Sequence, residues 1–386
     1  MIAAVSTVLA ACLAFAVLAP VIGRRLAPDL ATRLLACGSL AVAGCTTFGL
    51  GLVAMLWVGQ LPLLARVATW SPDELHDTDP MPRTISAVSL ALLTGLLGTA
   101  VVELVRRTRA LLAVYRTVTG DDLLGGDLAG DDHRAGNHPT GSDVVVVPDP
   151  RPRAFSTPPP GGRVVVTTGL LDNLSVIEQR VVFAHEYAHL RHLHSWWRLA
   201  TEFAAVLNPS LRPTARAVEH AVERWADEDA ARIVGDRQRV ARTLAKVALL
   251  GSAVNGSAVN GSAVNGSAVS DGVLDDGAPI TAGAAVAATG GDVPSRVRAL
   301  LAPPPGVTKV GRIGVILLAV VLLAGVFATA TLGRTGDTVF DNAAGRSASG
   351  HHHASQGHAA QHDAARHALP GQLRHEHQVH VGKRGI

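Results

Sequence analysis

Apolar residues in this chain are concentrated in four long uncharged blocks instead of being spaced along amphipathic faces. A helix needs roughly 20 apolar residues to cross a hydrocarbon core of about 30 Å. The pattern therefore predicts four transmembrane helices. A helix buried in a protein core is the alternative for each, chiefly for the third block, which is short and rich in Gly, Ser and Thr. The predicted spans are Ile2–Gly23, Leu34–Val58, Thr84–Val102 and Ile313–Leu332.

The positions of Lys and Arg predict how these helices are oriented, since short loops rich in these residues stay in the cytoplasm. Arginines follow the first and third blocks, basic residues precede the fourth, and the loop at residues 59–83 is acidic instead. This distribution predicts a multi-pass protein of the cell (plasma) membrane. Its N-terminus is outside, residues 103–312 are cytoplasmic, and the C-terminal tail is extracytoplasmic.

Composition agrees with a membrane location and limits which partners and which metal ligands are available. Only 17% of the residues are charged, whereas about 25% is usual in soluble proteins. The net charge of +3 is too small and too dispersed for a nucleic-acid surface, so direct nucleic acid binding is excluded. The three cysteines lie inside apolar blocks and lack metal-ligand spacing. Any metal must therefore be held by histidines and carboxylates.

The segment between the third and fourth blocks begins with the pattern of a small sheet. Two valine-rich runs, Val144–Val147 and Val164–Thr168, predict strands. Ala154-Phe155, between them, predicts a short edge strand.

Two helices are predicted after this sheet. Ser175 and Glu178 have the spacing of a capping box, which predicts a helix from there to about Asn208-Pro209. Pro213 predicts the start of a second helix, which closes at Gly235.

The first of these helices contains the motif HEYAH at residues 185–189. Residues four apart lie one above the other on a helix face, so His185 and His189 can bind one Zn²⁺ while Glu186 faces its water. A catalytic zinc site has three protein ligands and an open position. The motif therefore predicts one Zn²⁺ per chain and requires a third ligand from elsewhere.

The third ligand is predicted on the second helix. Ser195 stands where metzincin peptidases have their third histidine, so a glutamate is the alternative source. Glu223 is the predicted ligand, and Glu219, on the same helix face, is its rival. Asp227, one turn beyond Glu223, is placed to accept the outer N–H of a ligand histidine and fix its tautomer.

These residues carry a resemblance to a known family. HEYAH followed by ERWAD, with three apolar blocks before and one after, resembles the membrane-embedded gluzincin peptidases of the β-lactam sensor-transducer family, known from BlaR and MecR proteins. The resemblance covers roughly residues 1–335. It implies His185, His189 and Glu223 as ligands and Glu186 as the general base. HtpX-like and CAAX-processing peptidases share the ExxAD element and are related alternatives.

The predicted fold class is mostly α, with four transmembrane helices and a cytoplasmic α+β gluzincin zinc-metalloprotease domain between spans three and four. The His-rich tail is too short to form the penicillin-binding sensor domain of the family's best-known members, so β-lactam sensing is not implied. The predicted divisions are three transmembrane helices with short loops at 1–105, the protease domain at 106–250, a low-complexity GSAVN-repeat linker at 251–292, a juxtamembrane segment at 293–312, the fourth span at 313–332 and a disordered tail at 333–386.

Other residues near the motif receive structural interpretations. His192 and His194 are predicted on the exposed or interfacial side of the catalytic helix. Trp196 and Trp197 are predicted at the membrane interface or against the second helix. His220 is only a guess for the group that steadies the oxyanion. The tail histidines are predicted to be solvated, with binding of Zn²⁺, Ni²⁺ or Cu²⁺ as the alternative.

The predicted function is a membrane-bound zinc metalloendopeptidase that cleaves a cytoplasmic protein or peptide, with the lipid bilayer as a second partner. The bracketing of the protease domain by two spans favours a signal transducer acting on a transcriptional repressor. A housekeeping protease similar to HtpX is one alternative, and a non-catalytic membrane sensor is another. An extended substrate is expected to add to the sheet along Ala154-Phe155.

Overall fold

The computed structural model describes residues 2–61, 82–119, 144–158, 162–260, 293–304 and 309–367. Most of the acidic second loop, the Gly-rich piece before the sheet, the second half of the repeat and the end of the tail lie outside these ranges. The chain divides into two compact units. The larger comprises Ser6–Phe48 and Thr94–Ala328, and the smaller comprises Met1–Val5, Gly49–Leu93 and Thr329–Ile386.

Four helices are long and apolar enough to cross a membrane, which confirms the number predicted. No more than 33% of the most apolar window of any of them is buried. A core helix would be covered on every side, so this low burial favours membrane spans over buried core helices. The first three are α1 (Ile2–Gly23), α2 (Pro28–Gly59) and α3 (Arg83–Thr119), and the fourth is the final helix of the chain.

A three-stranded sheet comes next in the chain and has the strand order β1-β3-β2. β1 (Val144–Val147) pairs parallel with β3 (Val164–Thr167), and β2 (Ala154–Ser156) pairs antiparallel with β3. Every residue of the central strand is buried. The predicted edge strand is therefore present as β2. Thr168, predicted as part of a strand, begins the short helix α4 (Thr168–Asn173) instead.

The helix that carries the HEYAH motif, α5 (Val176–Arg191), begins with the predicted capping box. The Ser175 hydroxyl accepts a hydrogen bond from the Glu178 N–H, and the Glu178 carboxylate accepts one from the Ser175 N–H at 2.8 Å. The box satisfies two backbone donors that have no partner within the helix.

The prediction of one continuous helix from Ser175 to Asn208 is wrong, because the chain turns at Leu193. This residue has a left-handed φ of 55°, a conformation that commonly ends a helix. A separate helix, α6 (His194–Leu207), begins directly after it. The turn also places His194 in the interior with 0% of its surface exposed.

The second predicted helix is present as α7 (Arg212–Val234). Between α6 and α7, the Asn208 side chain caps a 3-10 turn over Pro209–Leu211. Pro213 lies in the first turn of α7, and Gly235 ends the helix with a φ of 76°, which glycine adopts without strain.

Helices α6 and α7 share an apolar core with α1, α2 and the final helix inside the larger unit. Burial of each large apolar side chain contributes about 1.5–3 kcal/mol. Helices α6 and α7 are therefore packed onto the predicted spans and do not form a separate domain joined by a flexible linker. The fully buried members of this core are Phe15, Leu35, Leu211, Val218, Val222 and Leu318.

Two further helices complete the larger unit. α8 (Arg237–Asn260) and α9 (Val293–Leu301) pack against each other and against α7. Arg237 donates to the carbonyl oxygens of Ala299 and Leu300, both at 3.0 Å, and so satisfies the C-terminal end of α9. The segment predicted as juxtamembrane is thus packed against α7, the helix that carries Glu223.

Two segments that the sequence predicts to lack regular structure are partly helical. α8 continues through the first two GSAVN units, and the final helix, α10 (Lys309–His367), continues over residues 333–367. No proline interrupts residues 309–369. In the smaller unit, Val339 and Ala343 of α10 are buried against α2, so the apolar stripe of the span extends beyond it.

Candidate metal centre

Helices α5 and α7 pack against each other and bring three predicted ligand residues together. His185 Nε2 and His189 Nε2 lie 3.1 Å apart, because residues four apart share a helix face. From α7, Glu223 places Oε2 at 3.6 Å from His185 Nε2 and Oε1 at 3.7 Å from His189 Nε2. The three side chains therefore converge on one point.

This set of donor atoms fits a zinc ion. Ligand atoms about 2.0–2.1 Å from a tetrahedral Zn²⁺ are roughly 3.3 Å from each other, which is close to the three separations above. Two imidazole nitrogens and a carboxylate also leave a fourth position for water or substrate.

Two other residues considered from the sequence are not part of this group. The Glu219 carboxylate accepts a hydrogen bond from Arg198 at 2.9 Å instead. His220 is half-buried on α7, where burial, together with the charges of Arg224 and Arg296, lowers its pKa. Its role at the oxyanion stays a prediction.

Asp227 orients the first histidine. Its Oδ1 lies 3.1 Å from His185 Nδ1, so this nitrogen carries a hydrogen and Nε2 is the nitrogen left to bind a metal once it loses its own proton. Asp227 is itself buried, and a buried carboxylate is costly unless it is paired. Arg296 provides that pairing through two hydrogen bonds of 2.7 Å.

Arg296 lies on α9 and also places Nη1 3.0 Å from Glu223 Oε2. Burial alone would raise the pKa of both acids, yet the pKa of each is lowered, in Glu223 by the ligand histidines and Arg296 and in Asp227 chiefly by Arg296. Both acids are therefore ionised at neutral pH. In the sequence Arg296 is only one of several basic residues before the fourth span, and no local motif indicates its place in the site.

Glu186 lies between the ligands and the sheet. Burial is the main reason that the pKa of its carboxyl is raised, and the charge of Glu223 adds to it, against the charge of His185 and a hydrogen bond from the Ser156 side chain. A raised pKa brings a carboxylate closer to the range in which a general base works best. Ser156 is the last residue of β2, so the predicted base is connected to the edge strand.

The two histidines of the motif differ in proton affinity. Burial lowers the pKa of each, but hydrogen bonds to Asp227 and Glu223 raise the pKa of His185 to about 10, whereas the pKa of His189 is lowered to about 4. Binding of a metal at His185 near neutral pH therefore requires the loss of a proton.

A second group of side chains surrounds His189. His194 Nδ1 lies 3.1 Å from His189 Nδ1, and burial lowers the pKa of His194 to about 2, so its ring is neutral. His192 Nε2 lies 2.7 Å from Asp229 Oδ2. The predicted exposed or interfacial position is wrong for His194, which is buried, whereas His192 is half-buried. The Trp225 ring of α7 packs on both imidazoles, at centroid distances of 4.4 Å from His192 and 4.9 Å from His194.

Three side-chain contacts connect the site helices to α2 and α3 within the larger unit. The helix α2 thus contacts α7, which carries Glu223, and both α2 and α3 contact α6, which packs against α5 and α7. The contacts are Arg33 over the Trp225 ring at 4.9 Å, Arg107 with Glu202, and Asn208 Nδ2 donating to Thr46 Oγ1 at 3.4 Å.

Comparison with known proteins gives two similarities. Residues 127–303, which include the motif and both site helices, match the family model of Peptidase family M48. The chain is also similar to the Protease HtpX homolog of Aeropyrum pernix, with 27% identity over 147 residues. That match covers 37% of this chain and 44% of the relative, so the chain spans less than half of the relative's length. No solved structure matches the chain significantly.

Proposed function

We propose that this protein is a membrane-bound zinc metalloendopeptidase. The observation that carries the proposal is the convergence of His185, His189 and Glu223, with Glu186 beside them on α5. The similarity of residues 127–303 to a peptidase family supports it, as do the four helices that are apolar enough to cross a membrane.

Each side chain has a separate task in the proposed reaction. A bound Zn²⁺ supplies Lewis acidity to the scissile carbonyl and to the attacking water. Glu186 takes a proton from that water onto its carboxylate and later delivers it to the nitrogen of the leaving amine. Asp227 holds His185 in one tautomer, and Arg296 keeps the acidic residues ionised.

An extended peptide is the form of substrate that suits the site. β2 is at the edge of the described sheet, and Ser156 at its end donates to Glu186. A peptide that adds along β2 would gain backbone hydrogen bonds and pass close to the base.

We also propose that the target is a specific cytoplasmic protein, such as a transcriptional repressor, and that the protease transmits a signal across the membrane. The arginine distribution supports a cytoplasmic site. The contacts of Arg33 and Arg107 with the site helices support coupling between the spans and the zinc ligands. The resemblance to BlaR and MecR proteins supports the same interpretation.

A housekeeping protease that removes damaged membrane proteins is the second candidate, and the similarity to the Protease HtpX homolog favours it. A non-catalytic sensor is disfavoured, because the predicted ligands and the predicted base lie together.

The proposals are tested by comparing new protein N-termini in cells that express the wild type or Glu186→Gln. Glu186 is proposed as base and not as ligand, so this variant should keep about one zinc per chain and lose cleavage, while His185→Ala should lose both. One dominant cytosolic substrate would support the transducer, and many cleaved membrane proteins would support the housekeeping role. Identical N-termini in the two strains would contradict a protease, and loss of zinc from Glu186→Gln would contradict its role as base.

A further inference from the structure

We propose that His194 is a positioning residue for the metal centre, which accepts a hydrogen bond from His189 and so directs the His189 lone pair at the metal. The inference rests on the proposed zinc site. Its basis is the 3.1 Å separation between His189 Nδ1 and His194 Nδ1. An imidazole that binds a metal through one nitrogen commonly donates its other N–H to a nearby acceptor.

The surrounding structure holds His194 in this position. The left-handed φ of 55° at Leu193 turns the chain into α6 at this point, and 0% of the His194 surface is exposed. The ring contacts Trp225 at 4.9 Å and His192 at 5.6 Å between centroids. Since a left-handed leucine costs energy, this turn persists only because the packing around it is favourable.

The hydrogen-bond inventory allows one arrangement that suits a metal. Two facing Nδ1 atoms share a single hydrogen. If His189 Nδ1 carries it, His189 Nε2 has a free lone pair 3.1 Å from that of His185. If His194 Nδ1 carries it, the hydrogen of a neutral His189 must lie on Nε2, where it blocks the metal position. A metal therefore requires His194 to act as the acceptor.

With His194 as acceptor, its own hydrogen lies on Nε2. That atom is buried and has no hydrogen-bond partner among the residues that the structure describes. The unpaired N–H lowers the stability of the folded protein, and an apolar side chain at this position would fill the space without that loss. This cost is understandable if the acceptor on the opposite side of the ring has a function.

The two metal-binding histidines thus have different supports. His185 donates to the carboxylate of Asp227, whereas His189 donates to a neutral imidazole. A carboxylate acceptor makes the donor ring more basic than a neutral acceptor does. Because the ring of His189 gains less basicity from its acceptor than the ring of His185 does, its contribution to metal affinity depends more on the orientation of its lone pair.

The test uses variants of the full-length chain in detergent that differ only in the acceptor. His194→Asn has a side-chain oxygen near the position of Nδ1, and His194→Leu has almost the same size without an acceptor. His194→Phe keeps an aromatic ring against Trp225 but also lacks an acceptor. Arg191→Ala is the control, because Arg191 is an exposed residue at the end of α5 and lies close to His189 in the chain.

Zinc affinity is measured by competition with a chelator, and folding is checked by thermal unfolding of the zinc-free proteins. We expect His194→Leu and His194→Phe to bind zinc about 10–100-fold more weakly than the wild type. His194→Asn and Arg191→Ala should stay within about 3-fold of the wild type.

Two outcomes would overturn the proposal. If the His194→Leu or His194→Phe variant folds and binds zinc as tightly as the His194→Asn variant, His194 serves only packing. If His194→Asn binds as weakly as His194→Leu, acceptor chemistry is not what the site needs. Absence of zinc from the wild type would instead overturn the metal centre itself and this inference with it.

Discussion

Arg296 donates through Nε and Nη2 to the two carboxylate oxygens of Asp227, each at 2.7 Å, although 69 residues separate the two in the chain. The same guanidinium reaches Glu223 at 3.0 Å. One cation on α9 therefore compensates two acids on α7, the buried Asp227 and the half-buried Glu223. Since Asp227 in turn orients His185, the support of the metal centre extends to a helix that contains no ligand.

Substitution of Arg296 by Met should destabilise the protein strongly. The variant leaves the buried Asp227 carboxylate without its cation, and removal of one partner from a buried ion pair typically costs about 3–5 kcal/mol. In thermal unfolding of the purified protein we expect the midpoint to fall by roughly 10 °C.

Arg298→Met is the matched control for this prediction. It removes the same kind of residue from the same helix, but Arg298 is exposed and donates to the Pro294 carbonyl, not to a buried acid. Its midpoint should stay within about 2 °C of the wild type. Equal shifts for the two variants would show that the ion pairs of Arg296 contribute little.

Glu178→Gln should weaken the start of α5 in a pH-dependent way. Two hydrogen bonds, one from the Lys246 side chain and one from the Ser175 N–H, lower the pKa of Glu178 in the folded protein. A carboxyl with a lowered folded pKa stabilises the protein above its unfolded pKa, and this contribution is lost as the pH falls through the folded value. At pH 7 we expect a loss of about 1 kcal/mol, which should shrink toward zero near pH 3.

Denaturant unfolding of wild type and variant between pH 3 and 8 measures this difference. Asp172→Asn serves as the control, because Asp172 is an exposed carboxylate on the neighbouring helix α4. A stability difference for Glu178→Gln that is constant over this range would rule out the charge of Glu178 as its cause.

Gly169→Ala should disrupt the junction between the sheet and α4. A methyl group at this buried position would overlap the carbonyl of Pro150 and lie 3.0 Å from Asp149 O, both of them backbone atoms that cannot rotate away. Overpacking of this kind costs at least about 3 kcal/mol. Gly251→Ala, with no neighbouring atom within 4 Å, should be neutral or stabilising by up to about 1 kcal/mol. Thermal unfolding of both variants provides the comparison, and similar midpoints would contradict the packing described for Gly169.

Reporter fusions test the predicted orientation. A reporter that is active only outside the cytoplasm should be active when fused after Arg346 and silent when fused after Thr117, because the arginines after the third apolar block favour the cytoplasmic side. The reverse pattern would place the metal centre outside the cell and would exclude a cytoplasmic substrate.

Features with a local signal could be predicted from the sequence. The four apolar blocks, the capping box at Ser175 and the histidines of HEYAH depend on residues near one another in the chain, and the periodicity of a helix relates them directly. Glu223 and Asp227 lie on another helix, but they too share one helical face. Their approach to His185 required only that α5 and α7 pack together.

Features that depend on tertiary packing could not be predicted in this way. Neither glycine nor proline marks the turn at Leu193, so the sequence predicts one long helix with His194 on its exposed or interfacial side. The pairing of Arg296 with Asp227 joins two helices that a low-complexity repeat separates in the chain. In the sequence, Arg296 cannot be distinguished from an arginine that flanks a membrane span. The final helix buries Val339 and Ala343 beyond the apolar block, which the polar composition of the tail does not reveal.

The position of Arg296 in the chain also determines the order in which the parts of the proposed metal centre are synthesised. At about 5–20 residues per second, the ribosome adds Arg296 roughly 3–14 s after Asp227, from which 69 residues separate it. During this interval both histidines of the motif, Glu223 and Asp227 have been made, but the cation that the two acids share has not. The proposed metal centre therefore stays incomplete until the helix just before the fourth span has been synthesised. A chain that ends within the GSAVN repeat would contain every proposed ligand but lack the cation that supports them.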